Sequence, residues 1–340
     1  MAEPKRNDQL ANQVSSSQIL SKKFICTLGA TLCVFSTFAQ LHWKNVDTLY
    51  GALPPSFHVF RTSDSLHGAP FVAFYVSAAL KDKNLQFNTQ VSNGNPYTPD
   101  EFFELENRPL LVVNGGFFSF ETGQSLSSVM RNGKQVAYSV NALKGIREDS
   151  MLYYYPTRSA LGIDRKRQAD VAWIFTSAEH RLPYAFESAP VIAKGKDPNP
   201  SIYELKNIGW VWWPMRTAVG GGPCLVHDGK IWVTYKEEQM FVGEENEKQP
   251  RTAMGYTKDG RLIILVIEGR HQGRAEGGTL EDEARILKSL DCYEALNLNG
   301  GGSSCMLING KETIKPSEKT GQRPIPAVFV IKQGSRKNAK

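Results

Sequence analysis

Four dipeptides limit what this chain can fold into. Asn132-Gly133, Asp228-Gly229, Asp259-Gly260 and Asn309-Gly310 each precede a Lys or Arg and sit between apolar stretches. Asn-Gly and Asp-Gly pairs accept the two consecutive positive φ angles of a type I′ turn, whose twist matches that of paired strands. Turns of this kind recurring along the chain call for antiparallel hairpins. The expected fold class is α+β: a mixed, largely antiparallel β-sheet core with hairpins and a few helices. An internal echo, R-[ST]-A-x-G, begins at Arg158, Arg216 and Arg251. Its spacing is too uneven for a solenoid, so it reads as similar strands of one sheet system. Each arginine shares a strand face with its Ala, and inside a protein that position is costly without an anion partner.

Two helices are legible from their starts. Thr98, Pro99 and Glu101 supply an N-cap, a first-turn proline and a capping-box acid. Thr279 and Asp282 repeat the pattern, ahead of a stripe of Leu280, Ala284, Leu287 and Leu290. The second helix connects the apolar run Ile263–Ile267 to Leu296–Leu298. If those two strands are adjacent and parallel, Glu268–Arg270 and Asn299–Ser303 meet at their carboxyl ends, where such units place ligands. Residues 176–209 read as an irregular surface excursion. Trp210, Trp212 and Trp213 follow it, as core or as a platform for a sugar ring.

The 340 residues are 41% hydrophobic and 22% charged, the balance of a folded chain and not a disordered one. A net charge of +6 and the lack of a Lys/Arg-rich run, apart from the short basic tail at 333–340, argue against a nucleic-acid partner. Lys22 and Lys23 precede an uncharged segment, Phe24–Ala39, that ends in small residues. It is short for a span and fits a signal peptide over 1–39, with a secreted or periplasmic destination. Membrane attachment follows only if it stays uncleaved. An N-terminal extension over 40–69 and one main domain over 70–332 complete the layout. After cleavage Cys224, Cys292 and Cys305 remain, an odd number that allows one disulfide or three buried thiols.

Asn297–Ser304 reads NLNGGGSS. Consecutive glycines let backbone amides converge on an anion, and Asn297 and Asn299 project to one side of a strand. On its own the segment is also a plain Gly-rich hairpin. Its company alters that reading. NGGFF at 114–118, GGGPCLVHDGK at 220–230, RTAMGYTKDGR at 251–261, EGR at 268–270 and EGGTL at 276–280 accompany it in order. Together, over about residues 70–332, they resemble the phosphodiester glycosidase family.

The resemblance implies hydrolysis of a sugar-1-phosphodiester at the C1–oxygen bond, with no cofactor. Arg216, Arg251 and Arg270 offer bidentate cations for phosphate. Gly115, Gly116, Gly300, Gly301 and Gly302 offer backbone donors, and Asn114, Asn297 and Ser303 complete the binding set. A carboxylate near C1 is needed for an oxocarbenium-like transition state, and Glu268 and Glu276 are the candidates. Two positions depart from the family pattern, which has DGR and NLDGGGS where this chain has Glu268 and Asn299. If the family's Asp at this position is the essential base, Asn299, the third catalytic candidate, removes its charge; if that Asp only orients a sugar hydroxyl, Asn299 can do the same. That departure favours a second reading, a noncatalytic envelope-glycan or exopolysaccharide accessory protein on the same fold. A phosphodiesterase cutting the P–O bond is a third. The six histidines lack the adjacent motifs of a serine hydrolase. No metal motif is present, although a Ca²⁺ held by backbone and carboxylate oxygens stays open.

Overall fold

The computed structural model describes residues 41–92, 94–205, 209–240 and 246–334. The predicted signal peptide, and all but the first two residues of the predicted tail, lie outside the described residues. Among the described residues no helix is long and apolar enough to cross a membrane.

Antiparallel pairing dominates, as the turn chemistry predicts. An eight-stranded sheet runs in the order Lys44–Asn45, Phe57–Thr62, Ala73–Ala79, Arg261–Ile267, Arg251–Thr257, Cys292–Asn297, Cys224–His227, Lys230–Ile231. A seven-stranded sheet runs Trp210–Trp212, Tyr184–Phe186, Ala169–Phe175, Arg158–Ile163, Thr217–Gly220, Val129–Arg131, Lys134–Ala137. A five-stranded sheet runs Lys311–Glu312, Met306–Ile308, Leu111–Asn114, Ala327–Gln333, Leu85–Val91. Phe57, Val76, Leu161, Trp173, Ile264, Leu296, Met306 and Phe329 belong to one buried cluster, so these three largest sheets share a core.

Three of the four turns have both central residues at positive φ: Asn132-Gly133, Asp228-Gly229 and Asn309-Gly310. The fourth differs. Only Gly260 is left-handed there, and its N–H closes a turn on the Thr257 carbonyl. Both capping boxes form, at Thr98 with Glu101 and at Thr279 with Asp282. Helix Leu280–Ser289 lies on strands Cys292–Asn297 and Cys224–His227. It buries Leu280, Ala284, Ile286 and Leu287, and each fully buried Leu or Ile contributes about 1.5–3 kcal/mol.

Two expectations change. The echoed arginine strands do not share one sheet. Those at Arg158 and Thr217 are neighbours in the seven-stranded sheet, whereas Arg251 starts a strand of the eight-stranded one. The strand–helix–strand reading also changes, because Arg251–Thr257 lies between Arg261–Ile267 and Cys292–Asn297, antiparallel to both. The two flanking strands are parallel to each other but not adjacent. Cys224, Cys292 and Cys305 are free and buried, and burial pushes the Cys224 and Cys305 thiols well above their ordinary pKa.

Candidate active site

The inserted strand explains the local geometry. Arg251 pairs with Ile267 and Ala253 with Asn297, so the start of the middle strand meets the ends of both neighbours. Glu268 emerges on one side and Asn299 on the other. A third strand end arrives from the five-stranded sheet, where Asn114 stands opposite Val328.

Asn114 is fully buried and ties these segments together. Its Oδ1 accepts from Thr252 Oγ1 at 2.9 Å and from the Cys305 amide at 3.1 Å. Its Nδ2 donates to the carbonyls of Asn299 at 2.7 Å and Gly115 at 3.1 Å. The same carbonyl of Gly115 accepts from the Asn299 amide at 3.2 Å. Asn114→Ala leaves several buried groups unpaired at 1–3 kcal/mol each, so the expected loss is about 3 kcal/mol or more. Urea unfolding checks this, and a loss under about 1 kcal/mol would deny Asn114 its role as a hub.

Close packing gives the glycine loop its shape. A Cβ on Gly300 would meet the Pro250 carbonyl at 2.7 Å, and Gly301 is left-handed at φ +60. A Cβ on Gly302 would overlap Glu318 Oε1 and the Arg323 guanidinium. The Gly301 amide is committed to the Pro250 carbonyl, and those of Ser303 and Ser304 to the loop itself. Asn299 Nδ2 donates to Ser303 Oγ at 2.9 Å, which also accepts from Arg323 Nη1 at 3.3 Å.

Glu268 is 1% exposed, and both of its oxygens are held. Oε1 accepts from Arg274 Nε at 2.7 Å and Oε2 from the Lys315 amide at 3.0 Å. The carboxylate holds the Arg274 guanidinium above its ordinary pKa. Glu276 follows on the same loop, half-buried and 3.6 Å from Lys248 Nζ. Arg270 sits at φ +63, with Nη2 3.2 Å from where a Gly301 Cβ would lie. Its Nε donates to Gln249 Oε1 at 2.8 Å.

Other sequence candidates are placed differently. Arg251 is buried, and its guanidinium donates to the carbonyls of Gly278 at 3.0 Å and Glu247 at 2.8 Å. These contacts lie toward the helix, whereas Glu268 turns toward Lys315. Neighbouring positions on paired strands alternate faces in this way. Asn297 is also buried. Its Nδ2 donates to the Gly222 carbonyl at 2.8 Å, whereas Asn299 Nδ2 donates to Ser303 Oγ. Gly116 packs against the Gly220 carbonyl and Ser127. Arg216 is exposed at the other end of its strand, on a separate cavity.

Sequence reasoning missed Arg274, Glu318, Arg323 and Phe120. Arg323 pairs with Glu318 over the glycine loop, and its guanidinium carbon is 5.1 Å from the centre of the Phe120 ring. Phe120 is 76% exposed beside this cluster. No local motif marks the Arg323 segment, since its site contacts depend on the fold. Remote from the loop, His227, Asp228 and Glu294 bring ligand-type atoms within 4.8 Å of one another. Protein donors already engage these acids: Glu294 Oε2 accepts from Val171 N and Tyr256 Oη, and Asp228 Oδ1 from Tyr293 Oη.

A family model described as phosphodiester glycosidase matches residues 107–332. An N-acetylglucosamine-1-phosphodiester alpha-N-acetylglucosaminidase from Bos taurus is 26% identical over 224 residues, covering 61% of this chain and 33% of the relative. The chain thus spans about a third of the length of the curated relatives it matches. The zebrafish catalytic domain of that enzyme, auto-inhibited by its pro-peptide, superposes with a TM-score of 0.56 at 21% identity, covering 83% of this chain and 85% of the other. A hypothetical protein from Synechocystis superposes with a TM-score of 0.61 at 13% identity, covering 86% and 64%. At these identities the two structures speak for the fold alone.

Proposed function

The chain belongs to the phosphodiester glycosidase family, and from that premise we propose that it hydrolyses a sugar-1-phosphodiester at the C1–oxygen bond, releasing a sugar and a phosphomonoester. The observation that carries the reading is Glu268, a buried carboxylate gripped at both oxygens, two residues before Arg270, whose guanidinium lies against Gly301 of the glycine loop. Phosphate is a good leaving group, so the larger demand is on stabilising positive charge at C1. A fixed carboxylate meets that demand without reorganising during the reaction. Each carboxylate oxygen has a second lone pair, so the grip of Arg274 and Lys315 leaves acceptor capacity toward C1. Glu268 acts there as nucleophile or as base for water. Glu276, on the same loop, is the second carboxylate.

Arg270 takes the phosphate, helped by loop amides at Gly300 and Gly302. Phe120 offers an apolar face to a pyranose ring, with Arg323 and Ser303 at its edge. Arg251 supports the site from behind by fixing the carbonyls of Gly278 and Glu247. An N-acetylglucosamine-1-phosphodiester is the first substrate to try, because the mammalian relatives are named for it. Release of a free reducing sugar, with oxygen from isotope-labelled water appearing at C1, supports this reaction. Label in the phosphate would mean P–O cleavage. Binding without sugar release would favour the noncatalytic glycan-binding reading.

Asn299→Asp tests the departure from the family pattern. Asn299 now orients Ser303 through Nδ2, and an Asp there can accept from the serine hydroxyl instead. The expected change in kcat/KM is less than about tenfold, or 1.4 kcal/mol. A rise of several orders of magnitude would move the catalytic base from Glu268 to position 299.

A further inference from the structure

Arg216 lines a cavity of about 690 Å³ that is separate from the glycine loop. Lys83, Arg165, Arg167, Arg216 and Lys332 contribute to its wall, with Asp164 as the lining carboxylate. Asp164 serves its own turn, where Oδ1 accepts from the Gln168 amide at 2.8 Å. Lys332 is matched from outside the wall by Glu106 at 2.6 Å. Arg165 and Arg216 face no carboxylate within ion-pair distance among the described residues.

Arg167 is prepositioned. Nη1 donates to the carbonyls of Leu80 and Asp82, each at 2.9 Å, and Nη2 to that of Leu85 at 2.6 Å. Its guanidinium carbon lies 5.6 Å from the centre of the Phe87 ring. Burial lowers the Arg167 pKa, the nearby charge of Asp82 opposes this, and the like charge of Arg216 lowers it further. Five cations against one lining carboxylate leave an excess of positive charge in this concavity, which an anion relieves. Arginine forks match the oxygens of phosphate, and the side-chain amides of Asn88 and Asn132 supply neutral partners at the same wall.

We propose that this cavity is a second anion subsite that takes a phosphate group of an extended phosphodiester-linked glycan. The identity of the occupant rests on the glycosidase reading; the anion site rests on the cavity itself. Arg216 stands five residues before Gly221, which packs on the Asn297 carbonyl. That is ~17 Å of extended strand, so a ligand reaching both places has several repeats.

The test titrates the full chain calorimetrically with inorganic pyrophosphate and compares Arg165→Ser, Arg216→Ser and the double variant. Both side chains are exposed, and melting curves confirm folding. A charge-keeping Arg216→Lys is the second variant at that position. Each loss of a charge-assisted contact is expected to raise Kd about tenfold, the double variant about 100-fold, and Arg216→Lys less than either serine. Absence of binding at millimolar pyrophosphate overturns the proposal. So does a titration whose stoichiometry and affinity are unchanged by the double substitution, or one abolished by Arg270→Ser, which would place all anion binding at the glycine loop. A glycerol-phosphate oligomer should bind more tightly than a sulfated oligosaccharide of equal charge, and equal binding would overturn the phosphodiester identity. None of these readings needs turnover, so failure here is separate from failure of the glycosidase assignment.

Discussion

Glu268→Gln is expected to lower kcat on a soluble sugar-1-phosphodiester about 10³-fold, a loss of about 4 kcal/mol of transition-state stabilisation, while Kd stays within about tenfold. The carboxylate acts on charge that appears only as the C1–oxygen bond breaks, so its loss falls on the transition state more than on ground-state binding. The change has a structural side. A Gln offers one accepting oxygen where Arg274 and the Lys315 amide need two. One donor loses its partner, at about 1–3 kcal/mol of stability. Turnover and melting must therefore be read together, well below the midpoint of unfolding. A folded Glu268→Gln protein with undiminished kcat would refute the assignment.

Glu283→Gln is expected to stabilise the protein above pH 8 by something on the order of 4 kcal/mol and to leave it little changed at pH 4. Glu283 lies on the helix behind the site, fully buried. Neither of its oxygens has a hydrogen-bond partner among the described residues. Desolvation outweighs the nearby charge of Arg251 and pushes the carboxyl up to about 8 from 4.5. The folded chain therefore keeps a proton that the unfolded chain gives up above its ordinary pKa. Glu283's contribution to stability is fully present below about pH 4.5, falls as pH climbs toward 8, and levels off beyond. A Gln has no proton to lose, so its curve lacks that decline. Urea unfolding at pH 4, 7 and 9 checks it; parallel curves for the two proteins would show that Glu283 is not held neutral.

Signals confined to a few neighbouring residues are legible in the sequence. Thr98 with Glu101 and Thr279 with Asp282 act across single helical turns, and both capping boxes form. Asn-Gly and Asp-Gly at 132, 228 and 309 need only their own backbone preferences. Strand order is not legible, because Arg251–Thr257 enters between two strands that the apolar pattern sets side by side. Nothing local shows which hydrogen-bonding edge an apolar run will occupy. The same limit applies to the site. Glycines 300–302 announce a tight turn, but Arg323 reaches Ser303 from the segment beyond the next hairpin. Arg216 looks equivalent to Arg251 by motif, yet lies in another sheet, at the end of its strand away from Gly221.

The strand Ala73–Ala79 has a consequence for anyone dividing this protein. It pairs along the whole of Arg261–Ile267, and the amide of Glu268 itself donates to the carbonyl of Val72. Both partners lie upstream of residue 107, where the family match begins. A fragment cut at that boundary would leave Arg261–Ile267 with a bare apolar edge, the kind that recruits another chain. It would also untether the backbone from which Glu268 projects. Limited proteolysis or domain grafting guided by the family boundary would remove a wall of the proposed catalytic site while appearing to remove only a preamble.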